Sequence, residues 1–157
     1  MGSSTNNLSR YNRKLFLLGL LKIPILGYVR PKLRRLDDTH AEIFIRLSRR
    51  TKNHLGSMYF GALTVGADAA AGIHVFYYAD KFDRKISVAF KSMSANFLKR
   101  PESDVVFRCE EGELVRDAIQ RSISSGQRRN QDVNITAFNT SEEIVATFIL
   151  TVSVKVL

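Results

Sequence analysis

Hydrophobic and polar positions alternate over several segments of the chain, and this pattern predicts β-strands. The segment AEIFIRLS places Ile43, Ile45 and Leu47 on one side of an extended backbone, as a half-buried strand requires. A weaker strand is expected at 32–37. Near the end, VNITAFN and EEIVATFILTVSVKV alternate on either side of Asn139–Ser141, which has the residues of a turn, so these two segments predict a hairpin.

The segment after Asp80 predicts a long, irregular strand. It alternates from Ile86 to Phe90 and then changes phase at Met93, which indicates a strand with a bulge. A further strand is expected at 104–109. Residues 110–123 carry apolar side chains at helical spacing and predict an amphipathic helix.

Between these strands lies a long segment that predicts a central helix. NHLGSMYFGALTVGADAAAGIHVFYYA is rich in Gly and Ala, and its single formally charged side chain is Asp68. Small side chains would let a sheet approach the helix closely. A membrane span is disfavoured, because an Asp near the centre adds about 2.5 to 3.5 kcal/mol on insertion scales. The expected fold class is α+β, with an antiparallel sheet wrapped around one long helix.

An extra helix is expected at the N-terminus, over about residues 10–21. The apolar run LFLLGLLKIPILGYV is interrupted by Lys22 and Pro24, and no small-residue cleavage pattern follows, so we do not interpret it as a signal peptide. Packing on the domain is the simpler interpretation, with contact to a membrane surface as the alternative. The chain is therefore divided into an N-terminal extension, residues 1–29, and one domain, residues 30–157.

The composition and net charge of the chain limit the kinds of molecule that it is expected to bind. With 157 residues and a net charge of +9, the chain suits one globular domain and an anionic partner. No nucleic-acid-binding motif accompanies the scattered basic residues, so a phosphate-bearing small molecule is favoured over nucleic acid. Cys109 is the only cysteine, which excludes an internal disulfide and a cysteine metal site and favours a cytoplasmic setting. No metal site is expected.

Asp68 is the main candidate for chemistry. An ionised carboxylate removed from water without a partner either costs several kcal/mol or raises its own pKa, so packing alone does not explain it. The competing interpretation is an Asp on a solvated helix face.

The spacing around this residue resembles a known family. Asn53 stands six residues before Tyr59-Phe60-Gly61, and ALTVGA then leads to Asp68. In acyl-CoA thioesterases of the phenylacetate-degradation type, an Asn, a His-Gly-Gly turn and a catalytic Asp occur at similar separations. This chain departs from the pattern at Tyr59 and Phe60. The resemblance covers roughly residues 30–157 and implies a hotdog fold, an uncharacterised hotdog subgroup being the closer relative.

The physical argument is compatible with that resemblance. If the helix begins near Ser57, its first N–H groups are free to bind the oxyanion of an attacked thioester. Asp68 shares a helical stripe with Ser57, Gly61 and Thr64. Gly61 and Asp68 are nevertheless roughly 10 Å apart along one helix. One carbonyl group cannot contact both, so the mechanism requires a homodimer, alone or as a dimer of dimers, with shared sites.

The resulting hypothesis is an acyl-CoA thioesterase. Asp68 acts as general base or nucleophile, N–H groups at Tyr59 to Gly61 hold the oxyanion, and Asn53 orients water or the carbonyl. The acyl-CoA is substrate, and no cofactor is needed. Candidates for substrate binding are His54, Ser57, Phe60, Thr64 and Phe97, with Arg128 and Arg129 for the phosphates of coenzyme A.

Two alternatives remain from the sequence. A non-catalytic acyl-CoA or fatty-acyl binding protein would keep the pocket without the activity. A dehydratase would need an Asp and a His separated by four residues, whereas five lie between Asp68 and His74.

Overall fold

The computed structural model describes the backbone of residues 2–157 and the side chains of residues 7–157. The helices are α1 (Gly2–Leu21), α2 (Pro24–Val29), α3 (Phe60–Lys81) and α4 (Gly112–Ser125). The strands are β1 (Lys32–Leu36), β2 (Ala41–Ile45), β3 (Ile86–Phe97), β4 (Val105–Cys109), β5 (Arg129–Phe138) and β6 (Ile144–Val156). The chain therefore combines helices with one antiparallel sheet, as predicted.

The sheet contains all six strands in the order β1-β2-β4-β5-β6-β3, and every neighbouring pair is antiparallel. The predicted hairpin is confirmed, since β5 and β6 pair along their length with Ile135 opposite Phe148. The predicted bulge is confirmed too, because the register of β3 against β6 shifts between Phe90 and Ser92. Within the described residues, β1 and β3 are the two edges of the sheet.

Two predicted boundaries are wrong by a few residues. β2 ends at Ile45 rather than at Ser48, because Ser48 enters a turn in which its N–H donates to the Thr51 hydroxyl at 2.9 Å. The amphipathic helix begins at Gly112 rather than at residue 110 and ends at Ser125, where Gly126 caps it in the left-handed conformation that favours glycine.

α3 packs its small side chains against the sheet. Gly66, Ala67, Ala70 and Ala71 are all buried. At Gly66 the approach is so close that a Cβ would lie 2.6 Å from Cδ2 of Phe107 on β4, and nearer still to two other ring atoms. The small residues thus allow the close contact between helix and sheet that the sequence predicted.

One face of α3 is covered only in part by the sheet of its own chain. Half-buried residues recur along it every three or four positions, at Gly61, Thr64, Asp68, Gly72 and Phe76. The neighbouring strand β3 is exposed along most of its length. A single chain therefore encloses α3 only in part, whereas the sequence predicted a helix wrapped by the sheet.

The N-terminal helix is longer than predicted and begins at Gly2 rather than near residue 10. It is fixed to the rest of the chain by Asp80, which accepts hydrogen bonds from the Tyr11 hydroxyl at 2.9 Å and from Lys14 Nζ at 2.6 Å. The short helix α2, which the sequence did not predict, packs against α1. Within the described residues, no helix is both long enough and apolar enough to cross a membrane.

Candidate active site

The turn that precedes α3 is organised by Asn53. Its Oδ1 accepts hydrogen bonds from the N–H of Leu55 at 2.9 Å, from the N–H of Ser57 at 3.2 Å and from the Ser57 hydroxyl at 3.2 Å. The side-chain oxygen of Asn53 is therefore committed to the turn. This leaves its amide nitrogen, which has no acceptor within the described residues, as the group that can meet a ligand.

The expected helix start near Ser57 is wrong. Tyr59 is the N-cap and the first helical residue is Phe60. Ser57 is buried in the turn and lies outside the helix, so it does not share the stripe of Gly61, Thr64 and Asp68. The helix starts later because the hydrogen bonds of the Asn53 turn hold residues 53–57 in a non-helical conformation.

The set of free N–H groups is also smaller than predicted. The N–H of Tyr59 donates to the carbonyl oxygen of Thr51 at 2.8 Å. The Tyr59 carbonyl accepts from the N–H groups of Ala62 and Leu63. Phe60 and Gly61 are thus the residues in this turn whose N–H groups have no intrahelical acceptor. Two donors, rather than three, are available for an oxyanion.

The side chain of Tyr59 lies close to the backbone of Gly61. A Cβ added at Gly61 would meet the Tyr59 ring at 2.5 Å, which shows how closely the ring covers the backbone of Gly61. The ring also packs against Phe60, with 4.8 Å between centroids. Tyr59 therefore narrows the access to the helix start.

A groove of about 450 Å³ opens beside the helix start. Phe60 and Phe97 contact each other across it with 6.2 Å between ring centroids, and both rings are at least half exposed. Among the residues that line it are the predicted Asn53, His54, Ser57, Tyr59, Phe60 and Phe97. Lys99 and Arg100 also line the groove, so its wall combines aromatic rings with cations. Such a surface suits an apolar chain attached to an anionic group.

Asp68 lines a second hollow of about 420 Å³, together with Thr64 from α3 and Lys91 from β3. Burial raises the pKa of the Asp68 carboxyl above its ordinary value. Within the described residues, Asp68 makes no hydrogen bond or ion pair. Thr64 is less available, because its hydroxyl donates to the Phe60 carbonyl at 2.9 Å. The hollow thus contains one unpaired acid.

The sequence did not single out Phe90 and Met93, which also line this hollow. The change of phase along β3 was the signal for them. The bulge lies between Phe90 and Ser92 and rotates the side chains that follow it, so that Met93 lines the same hollow beside α3 as Phe90.

A single chain does not bring all the predicted site residues together. The helix start and Asp68 open into separate hollows, seven residues apart on α3. Arg128 and Arg129 lie farther away: Arg129 pairs with Val154 on β6, whereas Phe97 pairs with Ala146. Eight residues of strand separate these positions, roughly 26 Å. Within one chain, both arginines therefore lie far from the helix start, and their assignment to the phosphates of coenzyme A stays a prediction.

Arg128 is nevertheless held in a defined position. Its guanidinium donates to the Ser153 carbonyl at 3.1 Å and to the Ser87 hydroxyl at 2.9 Å. The Nε of Arg129 is buried, with no hydrogen-bond partner in the described part of the chain. These two arginines mark the end of β3 that is remote from Phe97.

Two other reactive side chains are packed away from the hollows. His74 is fully buried and its Nε2 donates to the Asp37 carbonyl at 3.0 Å, while burial lowers the pKa of the ring. Cys109 is buried in β4, and burial raises the pKa of its thiol to about 11. Across residues 2–157, no cluster of three or more His, Cys, Asp or Glu side chains is suited to a metal ion.

This fold is shared with thioesterase-like proteins of known structure. A probable thioesterase of unknown function from Pseudomonas aeruginosa is 18% identical over 95% of this chain and 96% of its own, with a TM-score of 0.76. A candidate thioesterase from Shewanella oneidensis is 11% identical over 96% and 99%, with a TM-score of 0.80. A mutant thioesterase from Pseudomonas aeruginosa is 15% identical over 100% and 97%, with a TM-score of 0.68.

The chain therefore has a fold that thioesterase-like proteins share, in agreement with the resemblance noted in the sequence. More specifically, the chain belongs to the DUF4442 family, a domain of unknown function whose model matches residues 12–154. No curated protein matches the chain.

Proposed function

We propose that the protein is a hotdog-fold acyl-CoA thioesterase that acts as a homodimer. The observation that carries this proposal is Asp68, a half-buried acid without a partner among the described residues, on the partly covered face of α3. An unpaired, half-buried acid does not help a helix or a sheet to fold, and a carboxyl with a perturbed pKa in a hollow is a candidate for catalysis. The thioesterase-like neighbours support the same class of reaction.

The dimer rests on the free edge of the sheet. β3 has twelve residues, is exposed and pairs with β6 on one side. Symmetric antiparallel pairing of two β3 strands would set the Ile86 end of one strand beside the Phe97 end of the other. Arg128 is bonded to Ser87 near the first of these ends. The arginines of one subunit would then approach the groove of the other, where they could bind the phosphates of coenzyme A.

In the proposed reaction, the thioester carbonyl lies between the helix start of one subunit and Asp68 of the other. Its oxygen accepts hydrogen bonds from the N–H groups of Phe60 and Gly61. Asp68 takes a proton from water as the water oxygen attacks the carbonyl carbon. The C–S bond then breaks, the thiolate of coenzyme A is protonated, and the free acid is released. In a variant of this path, the Asp68 carboxylate attacks first and water hydrolyses the resulting anhydride.

A second function is favoured by one observation. The ring of Tyr59 covers Gly61, so the donors that would hold the oxyanion are partly obstructed. A protein with this arrangement could bind an acyl-CoA in the groove between Phe60 and Phe97 without hydrolysing it. We therefore retain a non-catalytic acyl-binding protein as the alternative.

The test is release of free coenzyme A from acyl-CoAs of different chain length. We expect the native protein to hydrolyse at least one of them and Asp68→Asn to lose at least a hundredfold in kcat, as for a general base. Asp83→Asn is the matched control, because it removes the same charge from an exposed acid that follows α3. Equal activity of the native protein and Asp68→Asn would refute the mechanism. Binding without hydrolysis in the native protein would establish the alternative.

The subunit arrangement is tested separately, by light scattering at micromolar concentration. A dimer or a dimer of dimers is expected. A monomer that still hydrolyses acyl-CoA would refute the shared site while leaving the thioesterase activity intact.

A further inference from the structure

Apolar side chains are exposed together at the tip formed by the end of α1, the following loop and α2. Their exposed fractions range from 40% to 72%. The group, which we call the N-terminal tip, consists of Phe16, Leu17, Leu20, Leu21, Ile23, Ile25 and Tyr28. Seven large apolar side chains in thirteen residues make a contiguous patch. Exposed apolar patches of this kind mark surfaces that bind another protein or a membrane.

The helical geometry makes the patch one surface. At 100° per residue, Phe16, Leu20 and Leu21 fall with Leu17 inside an arc of roughly 140° on α1. The opposite side of α1 buries Tyr11 and Leu15 against the domain. The inward face of α1 is therefore already used in folding, and the outward apolar face is additional to it.

The tip is rigid because the backbones of α1 and α2 are in contact. A Cβ added at Gly19 would lie 2.6 Å from the Gly27 nitrogen, and one added at Gly27 would lie 2.7 Å from the Gly19 carbonyl oxygen. Leu26 and Val29 of α2 are buried beneath the tip. The exposed side chains are thus presented by a packed helical hairpin.

The segment that carries the tip contains basic residues and no acidic ones. Residues 1–36 contain eight of the 24 Lys and Arg residues and none of the 15 Asp and Glu residues, so the remaining sixteen bases nearly balance fifteen acids. Five of these cations have no carboxylate within ion-pair distance among the described side chains: Arg13, Lys22, Arg30, Lys32 and Arg34. Almost the whole net charge of +9 therefore lies in the segment that exposes the apolar patch.

From this combination we infer that the N-terminal tip docks on the surface of a membrane that contains anionic phospholipids. The apolar side chains would enter the boundary between headgroups and acyl chains, and the surrounding cations would bind the phosphates. The chain would lie on the bilayer, since within the described residues no helix can cross it. A protein partner would have to combine an apolar surface with a ring of acids, which is the combination that an anionic bilayer presents everywhere.

The tip is separate from the β3 edge through which the dimer is proposed to pair, although Leu17 and Leu21 of the tip line a hollow together with Phe76 of α3. α1 packs beside β1, and β1 and β3 are opposite edges of the sheet. Docking through the tip therefore does not compete with pairing through β3, and it does not depend on the proposed enzymatic function.

Binding is tested by sedimentation with vesicles of phosphatidylcholine alone and with vesicles that also contain 30% phosphatidylglycerol. We expect binding to the anionic vesicles, which weakens as salt is raised. Phe16→Ser with Leu20→Ser should weaken it at least tenfold, because two large apolar side chains no longer enter the membrane. Ile123→Ser with Ile144→Ser is the matched control, since these exposed apolar residues lie elsewhere and their loss should leave binding unchanged.

The cations are tested in the same way. Arg13→Gln with Lys22→Gln should weaken binding about 25-fold, roughly fivefold for each cation near an anionic surface. Arg84→Gln with Lys155→Gln removes the same charge far from the tip and should have a much smaller effect.

Insertion can be observed directly, because the chain contains no tryptophan. In Phe16→Trp the new indole should shift its emission to the blue on addition of anionic vesicles, whereas in Leu157→Trp it should not. The inference is overturned by absence of binding to anionic vesicles, by unchanged binding of the Ser double variant at the tip, or by equal shifts in the two Trp variants. It is also overturned if light scattering shows that the same Ser variant loses a subunit contact, which would make the tip an interface between copies.

Discussion

Replacing Gly66 by Ala should destabilise the protein, although alanine is the better helix former. In a helix interior, Ala is favoured over Gly by about 0.5 to 1 kcal/mol. At position 66, however, the added methyl group would overlap the ring of Phe107, which has no exposed surface and cannot move aside. Overpacking of this kind costs about 1 to 3 kcal/mol. The net expectation is a loss of up to about 2.5 kcal/mol in the free energy of unfolding.

Gly72 provides the matched control on the same helix. A Cβ there would lie 3.5 Å from the ring of Phe90, an ordinary contact. Gly72→Ala should therefore gain the full helical preference of about 0.5 to 1 kcal/mol. The two variants change the same chemical group in the same helix, so the difference between them isolates the packing against Phe107.

The measurement is urea unfolding followed by circular dichroism, at two protein concentrations so that any effect on subunit association is recognised. Phe107→Leu should reduce the penalty of Gly66→Ala, because it removes the ring edge that the methyl group meets. Equal stability of Gly66→Ala and Gly72→Ala would refute the claim that Gly66 is needed for the approach of α3 to the sheet. The result is relevant to function, because the contact between Gly66 and Phe107 fixes the position of α3 on the sheet. Asp68 lies on the same helix, half a turn after Gly66.

Three further predictions follow from the charged and polar groups. Burial raises the pKa of Asp68, so the folded chain binds this proton more tightly than the unfolded chain, and the free energy of unfolding falls as pH rises through the folded pKa. Asp68→Asn should therefore unfold at a higher urea concentration than the native protein at pH 7 but not at pH 3. Hydrolysis by the native protein should rise with pH through the same pKa. Burial opposes ionisation of Asp37, but hydrogen bonds from His40, Thr39 and Arg35 outweigh it and lower the pKa of this carboxyl to about 2. Ionised Asp37 should therefore stabilise the fold above about pH 4, and this stabilisation should be lost toward pH 2. Thermal melts should show the pH dependence in the native protein and not in Asp37→Ala. In the absence of any ligand, Asn53→Ala should lower the free energy of unfolding by about 1 to 3 kcal/mol, because it leaves hydrogen-bond donors of the turn unpaired. Asn53→Asp should be less destabilising, because it keeps the side-chain oxygen that accepts these bonds. Equal denaturation curves for the two variants would contradict the structural role of Asn53.

Local periodicity determined most of the elements of this fold. The alternation in β5 and β6 follows directly from a sheet with one buried face, and the change of phase after Phe90 follows from a bulge, so both could be predicted from neighbouring residues. The small residues of α3 were likewise informative, because close packing admits little else. Asp68 was recognisable as exceptional because it is the single charge in its segment.

The candidate site depended on contacts between residues remote in the sequence. The sequence placed the helix start near Ser57, but the bond from Tyr59 to Thr51 and the turn around Asn53 move it to Phe60. It named Arg128 as a candidate for the phosphates of coenzyme A but could not give its distance from the acyl groove, and strand register puts the two near opposite ends of β6. Asp68 lies on a face of α3 that its own sheet covers only in part. Periodicity indicates which side of an element is buried, but only the tertiary structure decides what packs against that side. Asp68 is half-buried beside β3 and has no hydrogen-bond or ion-pair partner among the described residues.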